Sequence, residues 1–352
     1  MRRRGFLAGL MAGSAAPSIS WAGAGGAAFI GAARCPDQSF ALIGLTSDLR
    51  VAFEHPIPAR GHSGAAHPWR AEAVLFARRP GRFALVLDCA RGDALHRLEP
   101  PDGSHFYGHG AFSADGDLLL TTENEYETGS GRIGLWDVAS GYRRVGEIAS
   151  NGIGPHEIIR LHNDGYAVAN GGIRTHPATG REKLNLPDMA SNLTILNADL
   201  GVEAVTTLPA RDQRYSIRHI AQGPDDAIIM GLQWNDERGP TQSPLAVLDR
   251  DGLVHRPTLP TPLLTRSEGY VGSVAVDAAG VFYASAPRGN CMFRVSATEF
   301  LSVAPGTDLC GLAANGDRLL ISQGDGGAWL ADGSIRQEFA VNWDNHLLAV
   351  GA

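Results

Sequence analysis

Residues 108–137 read GHGAFSADGDLLLTTENEYETGSGRIGLWD. Gly108 to Phe112 is a short strand of small and apolar residues, and Ser113-Ala114-Asp115-Gly116 turns it. Asp117 to Glu125 is a second strand, Gly129-Ser130-Gly131 a second turn, and Arg132 to Val138 a third strand. Tyr142 to Ile148 supplies a fourth. Four antiparallel strands in about 45 residues make one propeller blade, and Leu135-Trp136-Asp137 resembles the Trp-Asp ending of WD-type blades.

The unit recurs along the chain. Gly61-His62-Ser63-Gly64 and Pro155-His156-Glu157-Ile158 match Gly108-His109-Gly110-Ala111, and weaker copies begin at Arg218-His219, Gly272-Ser273, Leu309-Cys310 and near His346. The matched positions are His62, His109, His156, His219, Ser273, Cys310 and His346, at intervals of 47, 47, 63, 54, 37 and 36 residues. The 63-residue interval contains a polar insertion at 171–188. Only six residues follow His346, so the last blade needs strands from the N-terminus, supplied by Phe40 to Ile57. Joining both termini in one blade leaves no open sheet edge. The expected fold is all-β: one seven-bladed propeller over 36–352, six or eight blades being the alternatives. No long 3.6-residue period argues for helices.

Composition agrees. The chain has 352 residues, 44 of them glycine, about 12.5% against an average near 7%. Without a collagen period, so much glycine points to many turns. The net charge is −7, Lys183 is the only lysine, and no basic run lies beyond the first four residues. Nucleic-acid binding therefore has no electrostatic basis.

Met1-Arg2-Arg3-Arg4-Gly5-Phe6-Leu7, the apolar stretch to about Ile19 and the small-x-small triplet Ala22-Gly23-Ala24 have the plan of a twin-arginine export signal. The expected organisation is a leader at 1–24, a short linker at 25–35 and the propeller after it. The mature protein is expected in the periplasm, with no membrane span and as a monomer. Cys35, Cys89, Cys291 and Cys310 would meet an oxidising compartment there, and their spacing leaves all three disulfide pairings open.

In a propeller the first strand of each blade lines the central channel, so the matched positions converge at its mouth. Imidazole is the commonest protein metal ligand. We expect His62, His109, His156, His219 and His346 to hold a metal there, iron or copper, with Cys310, Glu123 and Glu125 as further ligands. Period-two alternation points Glu157 away from His156. Asn170, Gln233 and Gln323 end second strands and would ring the pocket. Arg174, Arg181 and Lys183 lie in the insertion, which could serve as a lid. Two other readings compete: a docking scaffold without metal, and a metal-dependent lactonase or isomerase. The enzyme would need a general base beside an open coordination position.

Arg60-Gly61-His62, ARRPG at 77–81, GHGAFSADGDLLLTTENEYETGSGRIGLWD at 108–137, NGIGPHEI at 151–158 and NGGIRTHPATGREKLNLPDMASN at 170–192 together resemble domain-of-unknown-function family 1513. The resemblance covers nearly the whole chain after the leader. It implies a twin-arginine-exported propeller and a role near iron acquisition, beside imelysin-type iron-uptake proteins and a di-haem peroxidase-like protein. It supplies no established reaction and no ligand set.

Overall fold

The computed structural model describes residues 19–78, 82–180 and 182–351. Arg2 to Arg4 of the expected export signal, and Arg181, lie outside them. Seven four-stranded antiparallel sheets form a closed ring, as the repeat predicts. Blade 1 is Gly61–Ala66, Glu72–Ala77, Ala84–Asp88 and Ala94–Leu98. Blade 2 is Ser104–Phe112, Leu118–Glu125, Gly131–Asp137 and Arg143–Ala149. Blade 3 is Pro155–Arg160, Tyr166–Asn170, Asn192–Leu196 and Val202–Thr207. Blade 4 is Tyr215–Gln222, Ile228–Trp234, Leu245–Leu248 and Val254–His255. Blade 5 is Ser273–Val276, Phe282–Ala286, Cys291–Val295 and Phe300–Pro305. Blade 6 is Leu309–Asn315, Arg318–Gln323, Gly327–Leu330 and Arg336–Glu338.

Blade 7 closes the ring. Its inner strand is Asn342–Ala349, followed outward by Ala27–Arg34, Phe40–Thr46 and Val51–Ile57. The stretch 25–35 is therefore not a linker. Ala27–Arg34 is a core strand with Phe29 fully buried, and the glycines of 23–26 disguise it in the sequence.

Each blade is buried on both faces, so its middle strands are apolar throughout rather than alternating. Tyr166–Asn170 and Phe282–Ala286 are buried at every position. One hydrophobic cluster fills each seam between neighbouring blades. Ala65, Phe76, Phe106 and Trp136 join blades 1 and 2, and Ala111, Leu120, Ile158 and Val168 join blades 2 and 3. At roughly 25 cal/mol per Å² of apolar surface removed from water, these seams dominate the cohesion of the ring. Trp136 also donates from Nε1 to Thr121 Oγ1 at 2.9 Å, giving the indole of the Trp-Asp ending its polar partner.

The ladder between first and second strands slips register in six blades, always beside the same structural level. The slips fall between Gly61 and Gly64, Phe106 and Gly110, Pro155 and Glu157, Ile217 and His219, and Leu309 and Leu312, and opposite Gly31 to Ala33 on the strand carrying His346. Blade 5, which carries Ser273, keeps regular pairing. A bulge bends its strand and re-aims side chains. Here five of the slips lie at or beside the strands that carry the clustered histidines, and the sixth lies at Cys310. No helix among the described residues is long and apolar enough to cross a membrane.

Candidate metal centre

The five matched histidines meet near the axis. His109, from the middle of five consecutive blades, has its ring centroid 5.2, 5.0, 5.9 and 4.9 Å from those of His62, His156, His219 and His346. The other four form a circuit around it: 62 to 346 at 4.8 Å, 346 to 219 at 4.8 Å, 219 to 156 at 4.9 Å and 156 to 62 at 5.9 Å. Within His62–His109–His156, and again within His109–His219–His346, one ligand atom from each residue lies within 4.8 Å of the others. His109 belongs to both sets. Close approach is possible because Gly108 has φ +108° and backs onto His62, where a Cβ would fall 2.3 Å from the ring.

Glu157 organises the cluster, against the expectation that it points away. Its Oε1 lies 3.2 Å from His109 Nδ1, its Oε2 lies 3.5 Å from His219 Nδ1, and the Ile220 amide donates to Oε2 at 2.7 Å. The register slip between Pro155 and Glu157 breaks the alternation that the sequence reading assumed. One carboxylate thus directs two imidazoles through Nδ1, leaving each Nε2 as the available ligand atom. This is the usual outer partner of a metal-binding histidine. His156 Nδ1 sits 3.1 Å from the Arg218 carbonyl, which commits Nε2 in the same way.

Burial holds His62, His156 and His346 well below the usual imidazole range near 6.5, reinforced by His346 at His62, by Arg218 at His156 and by His219 at His346. Burial also lowers His219, with Glu157 opposing it. Burial works to raise the Glu157 carboxyl, but His109 and His219 outweigh it and hold it far below the usual carboxylate range. Burial thus favours the neutral form of His62, His156, His219 and His346 beside the Glu157 carboxylate. Two buried ring nitrogens, His109 Nε2 and His62 Nδ1, have no hydrogen-bond partner.

The other predicted ligands are elsewhere. Cys310 lies in the corresponding strand, but its Sγ turns to Ser322 Oγ at 3.6 Å and to the Ser322 and Asp344 carbonyls at 3.6 and 3.7 Å. Burial pushes its thiol up to about 12, so it stays protonated. Glu123 is fully buried, but Oε1 accepts from Thr121 Oγ1 at 2.8 Å and from outer-strand Arg144 at 2.9 Å. Glu125 pairs with Arg132 at 3.0 Å away from the cluster. The unknown register of the second strand misplaced both acids. All four cysteines are free thiols.

The predicted pocket ring is a set of staples. Asn170 Nδ2 donates to Asn192 Oδ1 at 2.8 Å, Gln233 Nε2 to the Val271 carbonyl at 3.0 Å and Gln323 Nε2 to the Thr307 carbonyl at 2.7 Å. The insertion is held between blades 2 and 4. Arg174 donates to the Glu127 carbonyl, His176 packs 5.6 Å from the Tyr126 ring, and Gln213 and Arg214 donate to the Pro187 and Leu186 carbonyls. Lys183 is exposed. A cavity of about 300 Å³ reaches His109 and Glu157 from the end where the first strands finish, past Ser63, Ser113 and Arg160.

The profile of the family described as protein of unknown function (DUF1513) matches residues 55–350. The chain belongs to that family. No curated protein sequence matches it. Solved structures similar to this DUF1513 member include Kuenenia stuttgartiensis hydrazine synthase, 12% identical over 81% of this chain and 86% of that one, TM-score 0.61. The RRP9 WD40 repeats are 13% identical over 93% and 98%, TM-score 0.57. A catalytically inactive virginiamycin B lyase from Staphylococcus aureus, solved with quinupristin, is 11% identical over 85% and 92%, TM-score 0.56. At these identities the likeness concerns the fold alone.

Proposed function

We propose that this DUF1513 propeller binds a transition-metal ion, iron or copper, through the axial histidines, and acts in the periplasm as an accessory of iron acquisition, beside imelysin-type partners. Twin-arginine export is part of this reading. The observation that carries it is His109 Nε2: a buried imidazole nitrogen without a partner, on a residue 2% exposed, amid four other imidazoles. An unpaired polar atom in such a place costs free energy that a bound cation would recover.

The charge state favours a cation over an anion. Burial disfavours the charged form of His62, His156, His219 and His346, which leaves lone pairs for a cation and little to attract an anion, and the Glu157 carboxylate adds a negative charge beside them. A nitrogen-only donor set suits iron, copper, zinc and nickel, and with Cys310 turned away the soft-metal option loses its thiolate. Export after folding would allow loading in the cytoplasm, where metal choice is controlled.

The test is elemental analysis of protein folded and exported in a host with the twin-arginine route. Wild type is expected to carry stoichiometric iron or copper, and His109→Ala/His156→Ala to carry none. Unchanged metal content in the double variant, or none in wild type after loading with either ion, overturns the proposal.

A further inference from the structure

The triplet Ala22-Gly23-Ala24, which has the pattern of the leader's cleavage site, is part of the folded ring. Trp21–Gly23 is a short 3-10 turn, with the Gly23 amide donating to the Ser20 carbonyl at 2.8 Å and the Ala24 amide to the Trp21 carbonyl at 3.1 Å. Trp21 is 4% exposed and Ala24 3%. Both pack into the seam between blades 7 and 1, against Ile30, Leu42, Ala71, Leu75 and Val350. Trp21 Nε1 donates to the His67 carbonyl at 2.9 Å, and the Ala71 amide donates to the Ile19 carbonyl at 2.7 Å. The C-terminal Gly351, at φ +68°, backs onto the same indole, where an added Cβ would come within 3.1 Å of Trp21 Cβ. Trp21 thus ties the N-terminal segment to the first hairpin of blade 1 and to the C-terminus, at the one blade assembled from both ends of the chain.

We infer that export processing occurs N-terminal to Trp21, so that the mature chain keeps the indole. The inference rests on the export reading above. The twin-arginine route carries folded protein, so the peptidase meets the ring already closed. Cleavage needs the residues before the scissile bond accessible and free of secondary structure, and buried, hydrogen-bonded backbone resists proteolysis. For cleavage after Ala24, the two small side chains to be read are Ala22 and Ala24: Ala24 is buried, and Ala22, though exposed, is held inside the hydrogen-bonded turn. Upstream, Ser18 and Ser20 form a second small-x-small pair; Ser20 is exposed and precedes the turn, with its carbonyl accepting from the Gly23 amide and the Ile19 carbonyl from the Ala71 amide, so this site is less buried than the one after Ala24 rather than free of contacts. Cleavage there leaves the Trp21 indole in its seam.

The experiment is intact mass and N-terminal sequencing of the full chain, expressed with its own leader and recovered from the cell envelope. The expected first residue is Trp21 or one upstream of it within the exported product. A first residue of Gly25 overturns the inference while leaving export intact. A full-length product starting at Met1 overturns the export reading on which it rests. Thermal unfolding of Trp21→Ala gives an independent readout. Loss of a buried indole from a chain of this size is expected to lower Tm by about 5–10 °C, with Trp21→Phe recovering part of it. An unchanged Tm in Trp21→Ala overturns the structural role assigned to the indole.

Discussion

Glu157 Oε1 lies 3.2 Å from His109 Nδ1, although the two residues belong to first strands of different blades. A carboxylate that orients a ligating imidazole raises its basicity and fixes its tautomer, and its loss typically costs 10–100-fold in metal affinity. Glu157→Gln is therefore expected to weaken iron or copper binding by about that factor while leaving the ion count at saturation unchanged. Titration calorimetry on the apo protein measures it. An affinity unchanged within twofold would mean that Glu157 braces the ring and does not tune the ligands.

His109 is shared by both three-histidine sets, and His62 and His346 belong to one each. His109→Ala is expected to abolish binding, whereas His62→Ala and His346→Ala each leave a weaker site. Metal content after dialysis against a weak chelator ranks the three. Equal retention in all three would contradict a shared central ligand.

The pH dependence has a definite sign. In the folded chain His62, His156 and His346 sit well below 6.5, while in the unfolded chain they return to about 6.5. Below about pH 6.5 the unfolded state takes up protons that the folded state refuses, so stability falls as pH falls. The apo protein is expected to lose Tm steadily from pH 7 towards pH 5, and His62→Ala/His346→Ala to show a shallower loss. Glu157 adds to the decline below about pH 4.5, because its folded value is depressed. Scanning calorimetry across this range checks the slope; a Tm that rises on acidification would contradict it.

The ring and its histidines were legible because both depend on local pattern. Small residues flank His62 and His109, and the 47-residue spacing from His62 through His109 to His156 survives in the sequence without any knowledge of contacts. Glu157 was not legible. Its direction depends on a register slip, and period-two reasoning assigns it the wrong side. Glu123 and Glu125 failed for the related reason that second-strand register is set by cross-strand pairing, here Glu123 opposite Arg132 and Phe106. Cys310 shows the limit of repeat logic. It occupies the equivalent strand, yet a thiol packs like a small apolar group and turns to backbone carbonyls where an imidazole would reach the axis.

Thiol chemistry separates Cys310 from the site. Burial holds Cys310 and Cys89 at about 12, so neither forms appreciable thiolate at neutral pH, whereas Cys35 is partly exposed. Labelling with a thiol reagent at pH 8 is expected to modify Cys35 first and the three buried thiols, Cys89, Cys291 and Cys310, only after denaturation. Cys310→Ser is expected to keep its metal. Loss of metal in that variant would return the sulfur to the ligand set.

Gly108 couples backbone to site. Its φ of +108° is unfavourable for a side chain, and an added Cβ would sit 2.3 Å from His62 Cδ2. Gly108→Ala therefore combines backbone strain of about 1–3 kcal/mol with displacement of the His62 ring. It is expected to lower both Tm and metal affinity. The two effects can be divided by a double-variant cycle with His62→Ala. Removing the ring relieves the contact but not the strained φ, so Gly108→Ala should cost less stability in the His62→Ala background than in wild type. Metal affinity should not recover in the double variant, because the His62 ligand is absent. Equal stability costs in both backgrounds would show that the glycine is required only for its backbone angle and that the approach to His62 has no energetic consequence.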